Sequence, residues 1–281
     1  GGMKPPSREG KGIGTGGVGL QWRIWDAQEP CGRLLLVHGL GEHSGRYGDF
    51  ARHLAQNGFS VFSFDLRGHG VSEGTRGDTP AFSNFLDDLR AMEGVMEGQL
   101  AMEGPTYLMG HSLGGLIALG RLREGIGPYH GAILSAPWLR TALPGWVRAL
   151  GRWIGGRFPR LSLPSGLSPW RLSRDPEMVQ AWKDDPLNHP KLSGRLFRAA
   201  EELQEEVLAH PALPDLPLLF LIPGEDPVVE ARVTEKLARG IVGKAVAIEI
   251  LEGRVHEPLN DLGRQEVYDL VTSWLQTRSI H

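Results

Sequence analysis

Gly110-His111-Ser112-Leu113-Gly114 fits G-x-S-x-G, directly after an apolar run that ends at Met109 and before a segment of helical spacing. A serine hydroxyl is a poor nucleophile. A tight strand-to-helix turn helps it by lifting the oxygen clear of a sheet at a helix N-terminus, and flanking glycines let backbones pass closely. The competing reading is a glycine-rich turn with an ordinary serine helix cap. An activated serine needs a base for its proton and a third group that holds the base in one tautomer. On this motif the acid follows the serine in chain order and the histidine comes last. Asp226 stands in Pro223-Gly224-Glu225-Asp226-Pro227, just after the apolar run Leu218 to Ile222, and His256 stands in a similar loop after Val246 to Leu251. Both loops fall at the carboxyl ends of expected strands, where open α/β sheets gather their ligand sites. Glu225 is the rival acid, and Asp226 also reads as a capping aspartate before Val228. His38, His69 and His111 lie in or beside glycine turns, but none follows the acid candidate.

An oxyanion formed at such a serine needs at least two fixed donors, and backbone amides suit because they carry no charge to desolvate. The spacing predicts one at Leu113, after the nucleophile, and one at Leu40, in the bend His38-Gly39-Leu40-Gly41. No cofactor or metal is required by this chemistry.

The elements that must hold these residues are legible as alternation. Strands are predicted at Leu20 to Trp25, Leu34 to Val37, Val61 to Asp65, Thr106 to Met109, Ala132 to Leu134, Leu218 to Ile222 and Val246 to Leu251. Helical spacing covers Tyr47 to Gln56, Phe82 to Met96, Leu113 to Leu122, Glu201 to Leu208, Ala231 to Leu237 and Gln265 to Leu275. This is the α/β class: a mostly parallel central sheet flanked by helices. Gly10 to Gly19 is expected to be too glycine-rich for lasting regular structure. Gly1 and Gly2 before Met3 read as a tag remnant. The organisation expected is a tag and flexible segment over 1–16, a core over 17–137 and 211–281, and an inserted cap over 138–210.

That insertion holds Trp138, Trp146, Trp153, Trp170 and Trp182, five of the eight tryptophans, and residues 138–174 carry seven arginines with no acidic residue. Trp146 to Ile154 has apolar residues at helical spacing, with Arg148 and Arg152 one turn apart. Two readings stand: the segment touches an anionic lipid surface or micelle and admits an acyl chain, or its tryptophans pack on the catalytic domain. Substrate contacts are expected near Trp138, Trp146 and Trp153.

Composition narrows the classes. A chain of 281 residues with 41% hydrophobic and 22% charged residues matches a globular protein, and a net charge of −3 with no zinc-type spacing gives no pull toward nucleic acid. Cys31 is the single cysteine, which excludes an internal disulfide. With no N-terminal signal pattern and no apolar run near the roughly 18 residues of a membrane span, the expectation is a cytoplasmic protein, with peripheral membrane contact through the cap.

Several of these stretches together resemble the monoacylglycerol lipases and lysophospholipase-like α/β-hydrolases. His38-Gly39-Leu40-Gly41-Glu42-His43-Ser44-Gly45-Arg46-Tyr47 is similar to that family's oxyanion-loop signature, Asp65-Leu66-Arg67-Gly68-His69-Gly70 with Ser72 to its next loop, and Gly110 to Gly115 to its elbow. Leu161-Ser162-Leu163, Leu172-Ser173-Arg174 and Asp185-Pro186-Leu187 are similar to its cap pattern. The likeness covers about Gly17 to Leu275. It implies Ser112 as nucleophile, Asp226 as acid and His256 as base, with Leu40 and Leu113 as oxyanion amides. The substrate it implies is a small lipid ester, a monoacylglycerol or related lysolipid. Pro223, Gly224, Glu225 and Pro227 around the acid, and Val255 before the histidine, depart from the family's usual residues. A carboxylesterase for short soluble esters would use the same three residues; a non-catalytic binding protein on this fold would be expected to have lost one.

Overall fold

Runs such as Phe59–Phe64, Thr106–His111, Gly131–Ser135 and Leu218–Pro223 are buried at every position, the pattern of strands covered on both faces. The computed structural model describes residues 4–241 and 245–279; the expected tag residues, Gly1 and Gly2 before Met3, lie outside the described residues. In chain order its strands are β1 Arg8–Ile13, β2 Gly19–Trp25, β3 Gly32–Val37, β4 Phe59–Phe64, β5 Thr106–His111, β6 Gly131–Ser135, β7 Ser162–Pro164, β8 Lys191–Ser193, β9 Leu218–Pro223 and β10 Val246–Leu251. Eight form one sheet in the order β1-β2-β4-β3-β5-β6-β9-β10. The six from β4 to β10 are parallel, and β2 and β1 add antiparallel at one edge.

The helices are α1 Gly48–Gln56, α2 Phe82–Gln99, α3 Leu113–Arg123, α4 Gly145–Arg157, α5 Pro169–Leu172, α6 Pro176–Asp184, α7 Gly194–Ala209, α8 Ala231–Arg239 and α9 Arg264–Arg278. Two apolar cores lie on opposite faces of the sheet. One gathers α2, α3, α7 and α8 around Phe62, Leu108 and Phe220; the other gathers α1 and α9 around Val61, Met109 and Leu221. Alternate strand residues feed alternate cores, as the period of two requires. Among the described residues no helix is long and apolar enough to cross a membrane.

The glycine-rich N-terminal stretch corrects the expectation made for it. From Arg8 onward it is not a flexible segment: β1 pairs with β2, Gly10 opposite Trp22 and Gly12 opposite Leu20. Glycine is there because neighbours lie on the strand, not because the chain is loose. A Cβ on Gly10 would stand 2.5 Å from the Trp22 ring, and one on Gly12 2.7 Å from Met92.

Between β6 and β9 the chain leaves the sheet for α4, the β7–β8 pair, α5, α6 and α7. α7 begins at Gly194, well before the predicted Glu201, because the Ser193 hydroxyl oxygen caps the helix by accepting from the Leu196 amide at 3.2 Å. Its apolar side, with Leu196, Ala200 and Val207, belongs to the main core, while α4 packs on its outer side so closely that a Cβ on Gly155 would stand 2.1 Å from the Gly194 carbonyl oxygen.

Loops at the carboxyl ends of β3 and β4 are tied together by Asp65, whose side chain is fully buried. It accepts from Arg23 Nη1 (2.8 Å), the Ser44 amide (2.8 Å) and hydroxyl (2.7 Å), and the Val71 amide (3.0 Å). Removing it would strand a buried guanidinium and release both loops. Asp65→Ala should lose about 3–5 kcal/mol of stability in urea unfolding; a loss under about 1 kcal/mol would contradict this assignment of the loop anchor.

Candidate active site

β5 runs into α3 through a single strained residue. Ser112 has φ 55° and ψ −114°, a conformation a non-glycine residue holds only when its surroundings force it. The surroundings here are backbone. The Ser112 amide donates to the Ser135 carbonyl at 3.0 Å, and its carbonyl accepts from the amides of Leu116 (3.1 Å) and Trp138 (3.0 Å). A Cβ on Gly110 would lie 2.1 Å from the Gly114 carbonyl oxygen, and one on Gly114 2.1 Å from that of Val37, so only glycine permits the approach. The serine side chain is thereby presented at the N-terminus of α3, above the carboxyl edge of the sheet.

Loops after β9 and β10 bring the other two expected residues to it. The Ser112 hydroxyl lies 2.9 Å from His256 Nε2, and His256 Nδ1 lies 2.9 and 3.1 Å from the two Asp226 oxygens. With Ser112 donating to Nε2, Nδ1–H donates to the carboxylate. Asp226 Oδ1 also accepts the amides of Val228 (2.8 Å) and Val229 (3.0 Å), so the capping role and the contact with His256 coexist. The rival Glu225 is exposed.

Burial works against a charged His256, but the Asp226 charge and hydrogen bond, followed by Glu257 and Glu42, outweigh it and hold the imidazole above its ordinary value of 6.5. Burial likewise disfavours ionised Asp226, yet His256 and the two valine amides hold it below the usual carboxylate value. Two other buried histidines, His38 and His111, are set the opposite way. His38, fully buried, is pushed down to about 4 by desolvation; it lies 2.7 Å from the Gly39 carbonyl through Nδ1 and accepts the Leu66 amide at Nε2 (2.9 Å), pinning the turn before Leu40. His111, whose ring centroid is 5.0 Å from that of His256, is pushed to about 4 by burial first and the adjacent His256 next, and its Nδ1 contacts Ser135 Oγ at 3.0 Å.

Leu40 and Ser112 line one cavity, and Leu113 opens α3 beside it. Among the described residues no acceptor pairs with the amide of Leu40 or Leu113. The cavity, about 360 Å³, lies between the sheet's carboxyl edge and the insertion and is almost wholly apolar: Trp138, Val147, Leu150, Ile154, Leu163, Phe197 and Val228 line it, with Arg171 at its side. Trp138 lines the cavity, whereas Trp146 and Trp153 do not and are 72% and 63% exposed. Their spacing put them on one face of α4, but Val147, Leu150 and Ile154, one position round the helix, are the residues that turn inward.

Sequence reasoning missed Glu42, Arg46 and Glu257, whose side chains meet in one buried ion-paired group behind His256. The i, i+4 spacing of Glu42 and Arg46 was a signal; the pairing with Glu257, 211 residues away, was not visible. Glu42, His111 and Glu257 stand close enough for a metal ion to span, but the Arg46 guanidinium already supplies the cation between the two carboxylates.

A model of the Hydrolase_4 family, serine aminopeptidase S33, matches residues 28–263. The chain belongs to this family of α/β-hydrolases. A monoacylglycerol lipase of Mycolicibacterium smegmatis is 30% identical over 269 residues, 93% of this chain and 94% of that protein. The crystal structure of the Paleococcus ferrophilus monoacylglycerol lipase superposes with a TM-score of 0.82 at 30% identity, covering 92% of this chain and 99% of that one. An abhydrolase domain-containing protein of Dictyostelium discoideum is 27% identical over 264 residues; they take up 92% of this chain, which spans only 28% of that longer protein. Membership bears out the resemblance carried by the His38–Tyr47 and Gly110–Gly115 motifs.

In this hydrolase the His256 imidazole should titrate above pH 6.5 by NMR, and Asp226→Asn should lower that midpoint by about 1–3 pH units. A midpoint unmoved by the substitution would mean that the Asp226 contact does not govern the ring's charge.

Proposed function

We propose that the protein is a carboxylic ester hydrolase that cleaves monoacylglycerols or related lysolipids through an acyl-enzyme on Ser112. One observation carries the reading: the Ser112–His256–Asp226 hydrogen-bonded chain opens into an apolar cavity with room for a ligand and few groups that would welcome a polar one. His256 takes the serine proton as Oγ attacks the ester carbonyl. The amides of Leu40 and Leu113 receive the oxyanion, and the protonated ring then gives its proton to the departing alcohol. Water attacks the acyl-serine with His256 again as base, releasing the fatty acid. Asp226 holds the ring in the tautomer with Nδ1–H and stabilises the imidazolium without itself becoming protonated. Each step is complete in protein groups and water. The names of the relatives support the substrate class.

On this reading the insertion is a cap. Its α4 offers one face to the acyl cavity and the other outward. Trp146, Trp153, Phe158, Leu161 and Trp170 are all exposed, and Arg157 and Arg160 among them are exposed too. We place the contact with an anionic lipid surface there. The other two arginines of α4 in this stretch are engaged elsewhere: Arg148 faces Glu201 at 3.9 Å and Arg152 pairs with Glu205 at 2.5 Å, both on α7. Tryptophan and arginine together suit a headgroup boundary.

Initial rates on monoacylglycerols and p-nitrophenyl esters of increasing chain length should peak at medium or long chains with glycerol esters among the best, and Ser112→Ala should lose at least about a thousandfold. Turnover confined to short esters would instead establish a carboxylesterase, and an active Ser112→Ala would end the mechanism. Trp146→Ala/Trp153→Ala should weaken binding to phosphatidylglycerol vesicles about tenfold or more while leaving hydrolysis of a soluble short ester unchanged; unchanged vesicle binding would remove α4 from the interface.

A further inference from the structure

Two loops must keep register for an ester to be cleaved, the one that carries the Leu40 amide and the one that carries His256. They come from opposite ends of the chain. Between them lies a group of buried charges that the triad does not use. Arg46 Nη1 donates to Glu42 Oε1 at 2.9 Å and to Glu257 Oε2 at 2.9 Å, and Nη2 donates to Glu257 Oε1 at 2.9 Å. The other Glu42 oxygen, Oε2, accepts the Gly39 amide (2.8 Å), immediately before Leu40, and the Tyr47 hydroxyl (2.7 Å). Glu257 follows His256 directly, and its own amide donates to the Leu172 carbonyl in the insertion at 2.9 Å. Side chains of all three charged residues are at most 7% exposed.

We infer that Glu257 is a positioning residue: through Arg46 and Glu42 it fastens the His256 loop to the turn that holds the Leu40 amide, and it lends negative charge to the base. The inference rests on the reading of Ser112, His256 and Asp226 as the triad. Geometry favours more than a structural brace. Two carboxylates share one guanidinium here, so a net negative charge is buried; donation from the Gly39 amide, the Tyr47 hydroxyl and Asn260 Nδ2 eases it, and a positive charge arising beside it eases it further. The imidazolium formed during each turnover is that charge. The titratable groups facing His256 are Asp226 from the β9 loop, Glu257 on its own loop, Glu42 from the β3 loop with Arg46 behind it, and His111 from the end of β5. Burial resists an ionised Glu257, yet the Arg46 charge and hydrogen bonds overcome this and bring it down to about 2, so it stays charged across the working range of pH.

The sign follows. Glu257 favours protonated His256, so removing its charge makes the ring harder to protonate and moves the acid limb of kcat/KM to lower pH. Glu257→Gln keeps the shape and removes the charge. Its kcat should fall about 10- to 100-fold with KM within about twofold, since Leu40 is the one cavity-lining residue on the loops that lose register. Its acid limb should shift down by about one pH unit. Glu257→Asp, which keeps the charge, should restore the limb to the parent position. If Glu257→Gln fails to fold because Arg46 is left short of a partner, Glu42→Gln/Arg46→Met/Glu257→Gln, which leaves no buried charge unpaired, is measured in its place with the same downward shift expected. An acid limb that stays at the parent pH in the folded variant overturns the inference, whatever kcat does, because a brace alone would not set it. Ser112→Ala is run beside these variants: residual activity there would sink the triad reading itself, whereas an inactive Ser112→Ala with an unmoved limb in Glu257→Gln sinks only the role of Glu257.

Discussion

The backbone of Ser112, held at φ 55° and ψ −114°, is the constraint on which the site depends. Such a conformation costs on the order of 1–3 kcal/mol and persists only where neighbours over-determine it. Here β5 and α3 cross within a glycine's width at Gly110 and Gly114, β6 grips the serine amide, and the start of the insertion grips its carbonyl. The turn leaves the hydroxyl nowhere to point but upward, toward the loops after β9 and β10. Parallel strands do the rest: because β3, β5, β9 and β10 run the same way, their following loops all open on one edge of the sheet, and residues more than a hundred positions apart meet there.

Electrostatics then separates one histidine from its neighbours. His38, His111 and His256 are all buried, the rings of the last two 5.0 Å apart, and burial pushes each toward the neutral ring. Burial takes His38 and His111 down to about 4; their direct contacts are a carbonyl, an amide or a hydroxyl, and the carboxylates farther off, Asp65 for one and Glu42 and Glu257 for the other, do not offset it. Of these three only His256 contacts a carboxylate directly, with Glu257 and Glu42 adding to it, and only it is raised. The same side chain therefore serves as loop pin in one place and as the proposed base in another, and the difference is the charge it faces.

Much of this was legible in the sequence because the governing signals are local. Every strand predicted from an apolar run is present, and the order serine, aspartate, histidine selected the three side chains that meet. What escaped had a cause in tertiary structure. Gly10 and Gly12 looked like loop residues, since nothing in one sequence shows that Trp22 and Met92 lie where their Cβ atoms would be. Size and spacing mark Trp146 and Trp153 as belonging to one face of α4 without saying whether that face meets lipid, packs on the rest of the protein or turns toward the cavity. The Glu42–Arg46–Glu257 group joins residues 211 positions apart, and no periodicity reports such a pair.

The most direct measurement is to treat the protein with a long-chain alkyl p-nitrophenyl phosphonate, whose tetrahedral phosphorus mimics the attacked ester, and to follow intact mass and released nitrophenol together. Attack by an activated Ser112 that lines an apolar cavity requires one equivalent of nitrophenol, one added phosphonyl group per chain, and peptide mapping that puts it on Ser112, with the reaction slowing as His256 is protonated at acid pH. No adduct, an adduct on another side chain, or labelling that proceeds equally in Ser112→Ala would contradict the proposed nucleophile.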